Sequence, residues 1–110
     1  LNVRLELPDD LSAMDPARAD AILRCVQELI TNALRHAHAR ELVVTLEQAL
    51  DGTATIVARD DGRGGDFEAG QGLTGMRQRF EALGGSLSIE SSRGEGFRVT
   101  GAIPAVGALP

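Results

Sequence analysis

One amphipathic stretch, residues 17–37, constrains this chain more than any other feature. Its apolar residues fall at Ile22, Val26, Leu29 and Ala33, and Leu23, Ile30 and Leu34 widen the stripe. That spacing is the repeat of an α-helix with one buried face. Asp15-Pro16 precedes it and reads as an N-cap followed by proline at the first helical position. Arg24, Glu28, Thr31, Asn32 and Arg35 gather on the other side.

The remaining segments alternate around this helix. Val3, Leu5 and Leu7 alternate with Arg4 and Glu6, the period of a strand that Pro8-Asp9-Asp10 ends. Residues 41–49 read as a second strand and 53–59 as a third, joined by the hairpin signal Asp51-Gly52. Residues 62–72 are glycine-rich and polar and read as a loop. Residues 74–83 follow as a helix with Met76, Phe80 and Leu83 on its apolar face, ended by Gly84-Gly85. Residues 86–90 and 97–103 alternate as two further strands, and 105–110 read as a frayed tail. The order β-α-β-β-loop-α-β-β predicts a two-layer α/β sandwich: one mixed, mostly antiparallel sheet with both helices on one face. We assign residues 1–104 to a single domain and 105–110 to a tail or linker.

At 110 residues the chain is long enough to bury a core without disulfides or a structural metal. Its single cysteine, Cys25, falls on the apolar side of the helical stretch and reads as a small buried hydrophobe in a reducing compartment. A net charge of −5 with no basic tail or stripe argues against nucleic acid as a partner. No apolar run approaches the roughly 20 residues that span a bilayer. The absence of Trp and Tyr means that any adenine pocket is aliphatic and polar. The start at Leu1, without an initiator methionine, suggests a piece of a longer protein.

Three segments carry candidate chemistry. Glu28 and Asn32 stand four residues apart and share a helix face, with Arg35 and His36 three and four residues beyond Asn32. Mg²⁺ takes oxygen ligands and is usually held by one or two protein groups plus substrate phosphates. Asn32 offers a neutral oxygen, Glu28 a carboxylate for a metal-bound water, and Arg35 and His36 donors for phosphate oxygens. Taken alone, the same residues also suit the solvated face of a helix.

Asp60 ends a strand before Asp61-Gly62-Arg63-Gly64. A carboxylate there can accept from an exocyclic amine such as adenine N6, while Gly62 and Gly64 let backbone come close. An exposed turn is the plainer reading of the same motif. Gly70-Gln71-Gly72-Leu73-Thr74-Gly75-Met76 then opens a helix whose free amides suit a phosphate, with Thr74 as a cap. Arg77 and Arg79 read chiefly as the wet side of that helix, Met76 and Phe80 as core, and His38 as exposed. His36 and His38, two apart on a helix, do not share a face and do not form a metal pair. In this order the three segments describe a site for a nucleotide with Mg²⁺.

Across nearly its whole length the chain resembles the ATP-binding catalytic domain of two-component sensor histidine kinases, which share the Bergerat ATPase fold with type II topoisomerases, Hsp90-type chaperones and mismatch-repair ATPases. Residues 27–36 resemble the family's N box, 60–64 its G1 box and 70–76 its G2 box, and Gly94-Glu95-Gly96-Phe97 stands where its final Gly-x-Gly-Thr element is expected. The spelling Asn-x-x-Arg-His, the run Gly-Leu-x-Gly-Met-Arg and the five residues between Gly64 and Gly70 are similar to the short-lid subfamily.

The resemblance implies ATP and Mg²⁺ as cofactors, with Asn32 as metal ligand and Glu28 beside it. It implies Asp60 at adenine, Arg35 and His36 by the phosphates, and Gly72, Leu73, Thr74, Gly75 and Met76 cradling them. Phe97 stands where many relatives have Thr, which implies support of the base pocket by packing rather than by a hydroxyl. The implied activity is that of a histidine protein kinase. Its partners are a phosphoacceptor-histidine dimerisation domain of the same parent and a response regulator downstream, with no nucleic acid. The implied acceptor histidine lies outside this sequence, so the fragment itself is expected to be monomeric and unable to autophosphorylate, and its parent a homodimer. The implied location is cytoplasmic, with a parent that a membrane can anchor. Two other readings stand beside it: a serine kinase of the anti-sigma-factor type, and a nucleotide-binding module without transfer activity.

Overall fold

The computed structural model describes residues 2–8, 14–34, 40–61, 71–92 and 96–105; of residues 71–74 and 91–92 the backbone alone is described. Seven elements run in the order β1 (Asn2–Glu6), α1 (Pro16–Asn32), β2 (Glu41–Gln48), β3 (Ala54–Asp60), α2 (Gln71–Ala82), β4 (Ser86–Ser92) and β5 (Gly96–Ile103). The strands form one sheet in the order β1-β2-β3-β5-β4. β1 pairs parallel to β2 and every other pair is antiparallel. The parallel pair follows from connectivity: a helix lies between β1 and β2, and a crossover of that length is what parallel neighbours need. The expected mixed, mostly antiparallel sheet with two helices is the observed architecture.

Alternation decides what each strand contributes. Leu42, Val44 and Leu46 of β2 stand opposite Asp60, Ala58 and Ile56 of β3. Ala58 and Ile56 in turn stand opposite Val99 and Gly101 of β5. These apolar residues join Ala21, Ile22, Cys25 and Leu29 of α1 and Met76 and Phe80 of α2 in one core. Both helices therefore cover the same face of the sheet. Gly101 makes room for this packing, because a Cβ there would press on the Phe80 ring, Leu87 and Ile56.

The ends of α1 and α2 are fixed by local chemistry. The Asp15 carboxylate accepts from the Arg18 amide at 3.2 Å, and Pro16 opens α1 as expected. The Arg18 side chain, only 3% exposed, donates to Asp15 Oδ1 at 2.5 Å and to the Gly52 carbonyl at 2.6 Å. It thereby ties the start of α1 to the β2–β3 turn. At the end of α2, Gly84 adopts φ +79°. The Gly85 amide donates to the Phe80 carbonyl at 2.7 Å and the Gly84 amide to that of Glu81 at 3.0 Å, a Schellman closure.

In the helices the structure differs from the sequence reading in three places. Leu23 and Leu34 are 56% and 65% exposed, so the buried stripe of α1 is narrower than the apolar residues suggest; a helix resting on one sheet has only one covered face. α1 is described as α-helical to Asn32, with Ala33 and Leu34 in a wider π-type turn, and residues 35–37 of the expected helix lie outside the described residues. α2 starts at Gln71, three residues before the expected start, although Gly72 and Gly75 are weak helix formers. Burial of Met76 and Phe80 anchors the helix and outweighs that local preference.

Candidate functional site

The topology gathers three chemistry-bearing segments at one end of the sheet. Arg18 holds the start of α1 against Gly52, so α1 ends at the opposite end of the sheet, where β2 begins. Asp60 closes β3 at that same end, paired with Leu42 near the start of β2 and with Phe97 near the start of β5. α2 begins after β3 and finishes at the far end, where a Cβ on Gly85 would overlap the Ala102 carbonyl. Its first turn therefore stands at the Asp60 end, and α1 and α2 run antiparallel over one face. The last turn of α1, the end of β3 and the first turn of α2 share one rim.

On that rim Glu28 and Asn32 lie one turn apart in α1 and are both half-buried. Leu29, between them, is sunk in the core and fixes which way this face of the helix turns. Asp60 is half-buried. Phe97, its cross-strand neighbour, is buried in the core.

A helix that opens at Gln71 leaves the amides of its first turn without intrahelical acceptors. The amides of Gly75 and Met76 lie one turn in, where they bond back to the first-turn carbonyls. Thr74 is within the helix rather than at its cap position. Met76 is buried and anchors the turn from below. Arg77 donates from Nε to the Leu87 carbonyl at 3.4 Å, and Arg79 is exposed. Arg35, His36, His38, Gly62, Gly64 and Gly70 lie outside the described residues.

Two further residues shape the rim. Gly96, at φ +82°, packs so tightly on Asp60 that a Cβ would overlap the Asp60 carbonyl oxygen. Asp61 Oδ1 accepts from the Arg40 amide at 2.8 Å and the Glu41 amide at 3.0 Å, which holds the start of β2 against the end of β3. These bonds, that from Glu41 foremost, lower the Asp61 pKa below the usual carboxylate value. The sequence offered only the Asp-Asp doublet as a sign of this second carboxylate.

The oxygen donors present fit a hard cation: a carboxamide and a carboxylate on one helix face are what Mg²⁺ takes when substrate phosphates complete its shell. Among the described residues no helix is long and apolar enough to cross a membrane.

Comparisons place this geometry in a family. The sequence profile of the histidine kinase-, DNA gyrase B- and HSP90-like ATPases matches residues 17–107. The sensor histidine kinase YvfT of Bacillus subtilis is 33% identical over 96 residues, covering 86% of this chain and 26% of that protein. The nitrate/nitrite sensor protein NarQ of Escherichia coli is 36% identical over 92 residues, covering 80% of this chain and 16% of that protein. The chain thus spans a quarter or less of the length of many such relatives. Among solved structures, the blue-light activated histidine kinase of Erythrobacter litoralis EL346 superposes with a TM-score of 0.77 at 26% identity, covering 94% of this chain and 35% of that one. The chain belongs to the histidine kinase-, DNA gyrase B- and HSP90-like ATPase family, as a catalytic ATPase domain of the sensor histidine kinase type.

Proposed function

We propose that this domain binds ATP with Mg²⁺ at the shared rim and supplies the γ-phosphoryl group to a histidine on a separate dimerisation domain, for relay to a response regulator. One observation carries the reading: Glu28 and Asn32, Asp60 and the first turn of α2 stand at the same end of the sheet, on elements fixed by one core. Asp60 would accept from the adenine amine, and Phe97 would back it with an apolar wall. The first-turn amides of α2, at residues 71–74, would hold phosphate oxygens, favoured by the helix dipole. Asn32 would give its carboxamide oxygen to Mg²⁺, and Glu28 would hold a water on the ion. When bound, Mg²⁺ supplies charge neutralisation on the phosphate chain.

By family resemblance Arg35 and His36 would meet the phosphates, with Gly62, Gly64 and Gly70 shaping the loop between base and phosphate. Catalysis by these residues is positioning and charge stabilisation, and the nucleophile comes from outside the domain. The cytoplasmic side of a sensor protein, where ATP is available, suits this role.

Titration calorimetry of ATP with and without Mg²⁺ tests the metal site. Wild type should bind more tightly with the ion, and Asn32→Ala should lose that gain while keeping a native circular dichroism spectrum. Unchanged Mg²⁺ dependence in the variant removes Asn32 from the site. Incubation with labelled ATP and an added dimerisation domain tests transfer. Acid-labile label on a histidine of the added domain supports it, and label on serine of an added partner would favour the serine-kinase reading.

A further inference from the structure

β1 is the outer strand of the sheet, beside β2, and all five of its residues are exposed. In a parallel ladder the backbone groups of alternate residues reach the neighbouring strand. Asn2 is one of these, since its amide donates to the Arg40 carbonyl at 2.8 Å. The amides and carbonyls of Val3 and Leu5 therefore point outward, and those of Leu7 do so where the strand is continued by one residue. Natural edges of this kind are commonly blunted by lysine or proline, yet the strand Asn2–Glu6 contains neither.

Val3 and Leu5 stand opposite Leu42 and Val44, so they lie on the helix side of the sheet and carry its apolar face out to the edge. They are 40% and 52% exposed, and Leu7 is 54% exposed. Arg4 and Glu6 alternate with them on the open face, opposite Val43 and Thr45.

This order of residues is complementary to itself. Laid antiparallel on a second β1 with Leu5 opposite Leu5, the strand sets Val3 against Leu7 and Arg4 against Glu6, each pair occurring twice. The outward backbone groups of Val3, Leu5 and Leu7 then meet as hydrogen-bonded pairs, and Arg4 and Glu6 fall in the closer pairs between them. A slip of two residues, the smallest that keeps the faces, puts Arg4 against Arg4 in one direction and Glu6 against Glu6 in the other.

The charges choose the register and do not drive association. With Glu41 and Glu47 of β2 counted beside Arg4 and Glu6, each copy brings an excess of carboxylates to this side of the open face. Arg4 also serves Glu41, at 3.4 Å. The drive is apolar: Val3, Leu5 and Leu7 of both copies leave water together while the edge backbone groups find partners.

We propose that β1 is a self-association edge, at which two copies of this chain join antiparallel, Leu5 to Leu5, into one continuous sheet. The two-fold axis stands normal to the sheet, so the helices of both copies lie on one side. β1 starts at the rim end of the sheet, beside the start of β2, so the two nucleotide rims face opposite ways and stay open. This contact lies within the catalytic domain, and it departs from the monomer that the family resemblance implies.

Sedimentation equilibrium of the 110-residue chain at physiological ionic strength, from roughly 10 μM to 1 mM, tests this. The mass should rise from 11.6 kDa toward twice that value. In hydrogen-exchange NMR the amides of Val3, Leu5 and Leu7 should gain protection as protein concentration rises. Leu5→Pro removes an outward amide that β2 does not use, a change an edge strand accepts, and should leave a folded monomer. Arg4→Glu alone and Glu6→Arg alone each set like charges opposite one another twice, and each should weaken dimerisation roughly tenfold. Mixed one to one, these two variants should associate with each other at close to wild-type strength, because every pair is again opposite in sign. A mass of one chain across the whole range, or a dimer that Leu5→Pro leaves intact, would overturn the proposal. A mixture that associates no better than its separate components would overturn the register.

Discussion

Gly96 and Asp60 touch through their backbones. Gly96 takes φ +82° at the start of β5, and a β-carbon there would overlap the Asp60 carbonyl oxygen. The contact sets how closely the start of β5 closes over the end of β3, and so where the Asp60 carboxylate stands. Gly96→Ala meets two penalties at once, a disfavoured left-handed backbone and a steric clash with main chain. The first alone is worth about 1–3 kcal/mol. Denaturant unfolding should show at least that loss, and ATP affinity should fall as well. A variant of wild-type stability would mean that β5 shifts freely and that Gly96 does not position Asp60.

Much of this arrangement was legible because local signals and tertiary packing agree. Asp15-Pro16 starts α1, Gly84 ends α2, and Met76, Phe80 and Cys25 are buried where their helical spacing puts them. What the sequence hid depends on long-range contact. Val3 and Leu5 alternate like residues of a half-buried strand, yet both are exposed, because β1 is an edge strand. Arg18 looks like any surface arginine until Gly52, far along the chain, supplies its second acceptor. Gly72 reads as the end of a loop, whereas the core beneath Met76 holds it within the helix. For the site, the residue types pointed to the chemistry, but only topology brings the end of α1, the end of β3 and the start of α2 to one rim.

Arg18 ties the start of α1 to the β2–β3 turn. Its guanidinium is almost fully buried between Asp15 and the Gly52 carbonyl. Arg18→Met keeps the stem and removes both bonds, leaving the Gly52 carbonyl short of a donor. A loss of about 1–3 kcal/mol is expected, at the lower end because Asp15 remains in reach of water. Urea unfolding measures it. Nucleotide affinity should be little changed, since Arg18 sits at the end of α1 remote from Asn32. A large loss of ATP binding in a stable variant would contradict that separation.

Cys25 is buried in the core between α1 and the sheet. Burial alone pushes its thiol pKa up to about 12, so the reactive thiolate is essentially absent at neutral pH. A thiol reagent such as iodoacetamide should label the native domain at the rate of global or local opening, far below its rate with a free thiol. Mass spectrometry after timed exposure reads this directly, and denaturant should restore full reactivity. Fast labelling under native conditions would show that α1 opens readily from the sheet.

Asp61 gives the fold an acid-sensitive tie. Its carboxylate accepts the amides of Glu41 and Arg40, and those bonds hold its pKa below the ordinary carboxylate value. A pKa lowered by folding means that the folded state favours the ionised form. The resulting stability is fully present above the unfolded carboxylate pKa, about 3.9, and is lost as pH falls through the lower folded value. Asp61→Asn keeps an oxygen that can accept both amides but removes the charge. The variant should be less stable than wild type at neutral pH, and the gap should narrow on acidification as wild type protonates. Paired unfolding curves across the acid range measure the gap. Asp15 and Asp51, whose pKa values are lowered by Arg18 and Thr53 respectively, act in the same direction in both proteins and cancel from the difference. A gap that stays constant from neutral pH through the acid range would show that the Asp61 charge contributes nothing to the tie between β2 and β3.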